Sequence, residues 1–120
     1  MENIIIILIG FIIIEHFIFL YLEMFLWTKK SGRKIFANSI EDANTTKILA
    51  ANQGLYNGFL AMGLLFGIFY LHTDVKYDII LFFLCCILIA GVFGGLTAKK
   101  SILYIQALPA FITIIMIYIL

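Results

Sequence analysis

Seven polar side chains interrupt the apolar stretches of this chain, and their types are suited to binding a proton or a cation. They are two carboxylates, one imidazole and four amides, namely Glu15, Glu23, His16, Asn52, Gln53, Asn57 and Gln106. Carboxylate and imidazole groups take up and release protons, and amides orient a ligand through hydrogen bonds. The set predicts a site for a small cationic or amphipathic ligand, coupled to proton movement.

The spacing of these residues places several of them on shared helix faces. His16 and Glu23 are seven residues apart, and Gln53 and Asn57 are four apart, so each pair lies on one face of a helix. Glu15 borders the face of His16 and Glu23. A polar wall on one helix is therefore predicted to meet a polar wall on another.

The composition predicts that the elements carrying these residues cross a membrane. Of the 120 residues, 64% are hydrophobic and 12% are charged, with a mean hydropathy of +1.13. A soluble domain is about half apolar and about one quarter charged. A chain this short cannot bury so much apolar surface, so the excess is expected to face lipid.

The apolar runs predict the fold class. Four of them reach the roughly 20 residues that a helix needs to cross the hydrocarbon core, and they lack the alternation of a barrel. We predict an all-α integral membrane four-helix bundle, N-out/C-out and one domain over residues 1–120. The helices are expected at about 4–27, 40–71, 77–98 and 102–120. The first is read as a retained span, because no basic segment precedes it as in a signal peptide.

The basic residues predict the orientation in the cell membrane. The loops at 28–47 and 99–101 hold seven of the eight basic residues, which places both loops in the cytoplasm by the positive-inside rule. At about 1.5 Å per residue, Glu23, Asn52, Gln53 and Gln106 then lie in one layer about 6 to 9 Å below the cytoplasmic edge. Asn57, Glu15 and His16 lie deeper.

Local signals predict caps, a kink and close helix contacts. Ser39, three residues before Asp42, resembles a helix cap. Pro109 is expected to kink the last helix because it removes a hydrogen bond and crowds the carbonyl of Ile105. Small residues four apart are expected to let helices approach closely within the monomer or across a dimer. They are Ala50, Gly54 and Gly58, then Gly63 and Gly67, then Gly91 and Gly95.

Several kinds of site are disfavoured. The adjacent cysteines Cys85 and Cys86 have neither disulfide nor zinc spacing. Glu15 and His16, as neighbours, face two directions of a helix, so we predict no metal and no cofactor. The basic residues form no stripe suited to nucleic acid.

Three functions stay open at this point. In the first, the protein transports a cation as a homodimer, with Tyr56 as a further candidate for the pocket lining. In the second, it is an intramembrane enzyme, isomerase-like or hydrolase-like, using Glu and His as acid and base on a lipid-soluble substrate. In the third, it is a structural or regulatory subunit whose polar residues only join helices. A cavity beside the polar residues favours the first two, and direct packing favours the third.

Three segments resemble one known family. They are EHFIFLYLEMFLW (15–27), LAANQGLYNGFLAMGLL (49–65) and FFLCCILIAGVFGGLTAKKSILYIQALPA (82–110). They resemble the small bacterial membrane proteins called domain of unknown function 1304. The resemblance implies a four-helix integral membrane protein and no particular activity. It marks as family-typical the same seven polar residues named above. The length and the Glu in the first helix are also similar to small multidrug-resistance transporters, as an analogy of size and chemistry.

Overall fold

The computed structural model describes residues 1–120, and all of its regular structure is helical. The elements are α1 (Glu2–Phe25), α2 (Lys30–Phe36), α3 (Ile40–Phe69), α4 (Thr73–Thr97), a π-helical segment (Leu103–Ala107, the π segment) and α5 (Leu108–Ile119). The prediction of an all-α fold is confirmed. Two features go beyond the four predicted helices: α2 is an additional short helix, and the last predicted helix is divided into the π segment and α5.

The helix that the sequence did not reveal, α2, lies in the predicted loop 28–47. It has seven residues, far fewer than an isolated helix needs in water, so packing must stabilise it. Its buried Gly32 lies directly against the backbone carbonyl of Leu26, where a Cβ atom would collide. The helix ends at Ala37, whose φ of 53° and ψ of 40° are left-handed. Such contacts leave no periodic apolar signal.

Two of the helices are long and apolar enough to cross a membrane. They are α1, with a mean hydropathy of 2.7, and α4, with a mean hydropathy of 2.9, each over its most apolar 18 residues. Residues 103–119 form a shorter apolar stretch. The coarse prediction of a helical chain with membrane-spanning segments is supported to that extent, and the four-span bundle stays a prediction.

The chain is divided into two compact units. Unit 1 comprises Met1–Ile13 and Leu60–Leu120, and unit 2 comprises Ile14–Phe59. Unit 1 has a core made entirely of aliphatic side chains, supplied by α1, α3, α4 and α5. Its fully or almost fully buried members include Ile5, Ile9, Ile12, Leu64, Ile80, Leu84 and Ile87. The single domain over 1–120 stays a prediction.

Glycines in unit 1 allow close contacts, as predicted from their spacing. A Cβ atom on Gly91 of α4 would lie 2.7 Å from the backbone nitrogen of Ala107. Gly63 of α3 similarly lies against the Phe83 ring, and a Cβ atom on Gly67 would lie 2.7 Å from Ile80 Cγ1. Small residues let helices approach closely in this way.

The π segment occupies the place where Pro109 was expected to disturb the last helix. The N–H of Leu108 donates to the carbonyl of Leu103, five residues back instead of four. Pro109 has no N–H, and its ring crowds the preceding turn, so regular α-helical bonding cannot continue through it. The Thr113 hydroxyl donates to the Pro109 carbonyl at 2.8 Å. The wider turn is how this helix accommodates the proline.

Unit 2 contains the second half of α1, all of α2 and the first two thirds of α3. Gly54 and Gly58 of α3 lie against α1: a Cβ atom on Gly54 would be 3.0 Å from Glu23 Cβ, and Gly58 meets the Leu20 side chain. The predicted cap at the start of α3 is present, since Ser39 Oγ accepts a hydrogen bond from the Asp42 N–H at 3.1 Å. The glycines thus bring two polar helix faces together.

Candidate functional site

A buried carboxylate–amide pair is the centre of unit 2. Asn57 Nδ2 donates to Glu23 Oε1 at 2.8 Å, joining α3 to α1. Glu23 is only 9% exposed and Asn57 only 8%. The absent side chain of Gly54, one turn before Asn57, allows the two helices to come close enough for this bond. The predicted meeting of the two polar walls therefore occurs at this pair. The predicted layers are wrong here, because Asn57 was expected to lie deeper than Glu23 and the two side chains are in contact.

Two clefts in unit 2 share Glu23 and Trp27 in their walls. The first, which we call the Lys47 cleft, has a volume of about 400 Å³ and is also lined by Thr28, Lys47, Asn52 and Leu55. The second, the Asp42 cleft, has a volume of about 490 Å³ and is also lined by Asn38, Asp42, Thr45, Leu49 and Gln53. Both fall in the range of about 300 to 1,000 Å³ typical of small-molecule sites.

The charge differs between the clefts. The Asp42 cleft has two acidic residues in its wall, Glu23 and Asp42, and no basic residue. The Lys47 cleft has Glu23 together with Lys47. A cation is therefore favoured in the Asp42 cleft, where amide and hydroxyl oxygens add further acceptors.

Trp27 is the aromatic residue that lines both clefts, and a hydrogen bond holds its ring in place. Trp27 Nε1 donates to Thr46 Oγ1 at 3.0 Å, and Thr46 Oγ1 donates to the Asp42 carbonyl at 2.7 Å. The Trp27 ring also packs on Phe36 of α2, with ring centroids 4.8 Å apart. An indole ring in this position offers the face that organic cations prefer.

The remaining amides of α3 play smaller parts than the sequence suggested. Asn52 is exposed, and its Nδ2 donates to the Ile48 carbonyl of its own helix at 3.2 Å. Gln53 is also exposed and borders the Asp42 cleft. Tyr56, predicted as a candidate for the pocket lining, is 54% exposed and is not among the residues lining either cleft.

Two further polar residues of α1 are buried away from both clefts. Glu15 is 8% exposed, and its Oε2 atom is buried with no hydrogen-bond partner. His16 is fully buried and meets Phe19 edge-on, with ring centroids 5.7 Å apart. No group of three or more His, Cys, Asp or Glu side chains is arranged to hold a metal ion.

The last predicted site residue, Gln106, belongs to unit 1. It is half-buried and lies within the π segment. Its predicted place in one layer with Glu23 stays a prediction. Six of the seven predicted polar residues belong to unit 2, where the structure joins Glu23 to Asn57 and places Asn52 and Gln53 at the cleft walls.

Sequence reasoning missed Trp27, Asp42 and Thr46 as parts of this site. The sequence places Trp27 only at the end of the first predicted helix and Asp42 only in the capping pattern with Ser39. Helix periodicity offers no signal for Trp27, because α1 ends at Phe25 and Trp27 lies in the turn that follows.

Comparison with known proteins assigns the chain to a family. The family model called protein of unknown function (DUF1304) matches residues 10–118, so the chain belongs to this family. A similar protein is the uncharacterized protein YpaA of Lactococcus lactis subsp. lactis (strain IL1403). It is 30% identical over 104 residues, covering 85% of this chain and 86% of that one. No solved structure matches.

Proposed function

We propose that this chain is an integral membrane protein that binds a small cationic or amphipathic ligand at Glu23 and exchanges it for a proton. The observation that carries the proposal is the Glu23 carboxylate. It is buried, it has Asn57 as hydrogen-bond partner and no charged partner, and it borders two clefts. A buried carboxylate without a cationic partner is costly, and a cationic ligand or a proton removes that cost.

The membrane setting is supported by the exposure of the apolar helices. Only 33% of the most apolar part of α1 and 22% of that of α4 is buried within the chain. The core helix of a soluble protein is mostly buried, so these outward-facing side chains call for a lipid environment. Examples are Ile7, Phe82, Ile89 and Phe93, each more than half exposed.

The lengths of the other two helical stretches are compatible with a four-span bundle. The 30 residues of α3 extend about 45 Å, so its polar first turns can stand outside a hydrocarbon core of about 30 Å. Residues 103–119 are close to the lower limit of about 17 residues for a span. With the basic loops in the cytoplasm, both clefts open in the cytoplasmic half.

The chemistry of the Asp42 cleft favours an organic cation. Glu23 and Asp42 supply negative charge, and Trp27 and Leu49 supply apolar contact. Cation–π attraction to an indole contributes about 0.5 to 2 kcal/mol, depending on how far water is excluded. A ligand with a delocalised or alkylated cationic group satisfies all four residues.

Transport is the activity we propose for this site. Protonation of Glu23 would release the cation, and loss of the proton would restore the site, so ligand and proton would alternate on one carboxylate. Four helices are too few to surround an aqueous path and its gates, so we expect a homodimer. Two alternatives, an enzyme and a structural subunit, predict different outcomes in the experiment below.

The first test is native mass spectrometry of the protein released from mild detergent, followed by titration with tetraphenylphosphonium. Trp27 is the only tryptophan of the chain, so its fluorescence reports binding at the clefts. We expect tetraphenylphosphonium to bind and tetraphenylborate, of the same shape but opposite charge, not to bind. Glu23→Gln removes the charge–charge attraction to the phosphonium and should weaken binding about 10- to 100-fold.

The matched control is Glu41→Gln, which removes an exposed carboxylate of the first turn of α3 that lines neither cleft. It should leave binding unchanged. In vesicles, a pH gradient should drive uptake of tetraphenylphosphonium by the wild type and not by Glu23→Gln. Equal binding of the anion, or unchanged binding by Glu23→Gln, would favour the structural subunit. A co-purified molecule that the protein chemically converts would favour the enzyme.

A further inference from the structure

The second helix carries a concentrated positive charge that the ligand site does not use. Lys29, Lys30, Arg33 and Lys34 lie within six consecutive residues, and no Asp or Glu occurs between Trp27 and Ile40. We call these four side chains the basic cluster. Lys29, Lys30 and Lys34 are exposed and Arg33 is half-buried, with an Nε atom that has no hydrogen-bond partner.

The packing of α2 gives the basic cluster a defined orientation. Gly32 lies against the Leu26 carbonyl, and Phe36 packs on Trp27, so these two residues mark the face that touches the rest of unit 2. At about 100° per residue, Lys30 and Lys34 lie on the side of the helix opposite to Gly32. The lysines therefore project outward from a helix held in place by contacts on its other face.

The cluster also adjoins apolar groups at the end of a candidate membrane span. It begins four residues after α1 ends at Phe25, and Ile35 within α2 is 52% exposed. Exposed apolar groups beside basic ones are typical of helices that lie at the surface of a membrane. Clusters of four or more Lys and Arg immediately beside a span bind anionic lipids electrostatically.

From this arrangement we propose that α2 binds the headgroups of anionic phospholipids. The phosphates are held by Lys30, Arg33 and Lys34, and the glycerol and acyl region contacts Ile35. This site is separate from the ligand site at Glu23, and it stands even if no ligand binds there.

The test uses the full chain in a neutral detergent, titrated with dioctanoyl phosphatidylglycerol. Binding is followed by Trp27 fluorescence, since the ring contacts Phe36 of α2 at 4.8 Å between centroids. We expect saturable binding of phosphatidylglycerol, and none of dioctanoyl phosphatidylcholine or inorganic phosphate. The double variant Lys30→Gln/Lys34→Gln should bind about 25-fold more weakly, at about fivefold for each charge.

Two control variants separate this site from general electrostatic attraction. Lys99→Gln/Lys100→Gln removes the same charge from the other basic loop and should leave binding unchanged. Lys30→Arg/Lys34→Arg keeps the charge and should retain binding. Circular dichroism checks that each variant is folded. We expect all of them to fold, because the substituted lysines are exposed.

Three results would overturn the proposal. The first is equal binding of phosphatidylcholine, which would mean that the acyl chains alone are recognised. The second is competition by inorganic phosphate, which would mean that the cluster takes a free anion. The third is equal weakening by Lys99→Gln/Lys100→Gln, which would mean that only net charge matters. Glu23→Gln should not change phosphatidylglycerol binding, so failure at one site is distinguishable from failure at the other.

Discussion

The two compact units of this chain are stabilised by different kinds of contact. The buried hydrophobic residues of unit 1 are aliphatic, with Leu64, Leu84 and Ile87 fully buried, and its one buried polar side chain is the uncharged Thr113. Unit 2, by contrast, buries Glu15, His16, Glu23 and Asn57. Both units use glycine to bring helices close, but in unit 1 the glycines face rings, aliphatic groups and backbone, whereas Gly54 in unit 2 lies beside Glu23.

This difference separates stability from function along the sequence. Apolar packing gains free energy without chemical specificity, so unit 1 serves as the scaffold. Buried carboxylates and amides contribute little net stability, because desolvation offsets most of what their hydrogen bonds gain. These buried carboxylates and amides lie in unit 2, where we propose the ligand site. Substitutions in unit 1 should therefore change stability, and those in unit 2 should change binding.

The largest expected effect is that of Leu84→Ala in the core of unit 1. Leu84 is fully buried, so truncation leaves a cavity and should lower the free energy of unfolding by about 3 kcal/mol. Unfolding in mixed detergent micelles, followed by circular dichroism, measures the change. Tetraphenylphosphonium affinity of the folded fraction should stay the same. A loss of affinity as large as that of Glu23→Gln would contradict the expectation that substitutions in unit 1 change stability only.

A smaller loss is expected from Gly91→Ala. The added Cβ atom would lie 2.7 Å from the Ala107 nitrogen and 2.9 Å from its Cβ atom, so α4 and the π segment must move apart. Such overpacking should cost about 1 to 3 kcal/mol in the same unfolding assay. Gly10→Ala is the matched control, because nothing lies within 4 Å of the Cβ position at Gly10. Equal costs at the two positions would contradict the close contact.

Removing the amide partner of Glu23 should lower the free energy of unfolding less than the two preceding substitutions do. Unlike them, it should also weaken ligand binding. Asn57→Ala breaks the 2.8 Å hydrogen bond to the carboxylate, for an expected loss of about 1 kcal/mol. Combined with Glu23→Ala in a double-mutant cycle, it isolates the energy of the pair. A coupling energy of zero would show that the pair is not formed in solution, and unchanged tetraphenylphosphonium affinity would remove Asn57 from the site.

The smallest effect should be that of Tyr56→Phe. Tyr56 is 54% exposed, lines neither cleft, and its nearest ring contact is Phe59 at 6.1 Å between centroids. Loss of an exposed hydroxyl should change the free energy of unfolding by less than about 0.5 kcal/mol. Ligand affinity should also be unchanged. A strong effect would show that a partner or second copy covers this position.

The sequence predicted well what depends on helix periodicity. The close approach at Gly54 and the cap at Ser39 both follow from spacing along one helix. The depth estimate from the helical rise is wrong for Asn57, because it places Asn57 deeper than Glu23, whereas Asn57 Nδ2 donates to Glu23 Oε1 at 2.8 Å. The sequence did not predict which of several possible hydrogen-bond partners a polar side chain has. The side-chain amide of Asn52 donates a hydrogen bond to the Ile48 carbonyl of its own helix, and the spacing of polar residues does not reveal this.

The elements that were missed depend on contacts distant in sequence. Helix α2 forms because Gly32 fits against Leu26 and Phe36 against Trp27, and its seven residues have too weak an intrinsic preference to be recognised. The partner of the Trp27 indole N–H lies 19 residues ahead at Thr46. Each of these depends on the path of the chain between α1 and α3, which periodicity does not encode.

The π segment changes the angular position of every later residue around the last helix. A turn closed by five residues instead of four takes up one residue more than an α-helical turn. A helical wheel drawn without interruption from Ile102 to Leu120 is therefore out of phase by about one residue, or about 100°, beyond Ala107. A relative lacking one residue in 103–107 could form an ordinary α-helix there and still present the same face from Leu108 onward. Aligned sequences should thus tolerate a single-residue gap at this place, inside a helix, where gaps are otherwise rare.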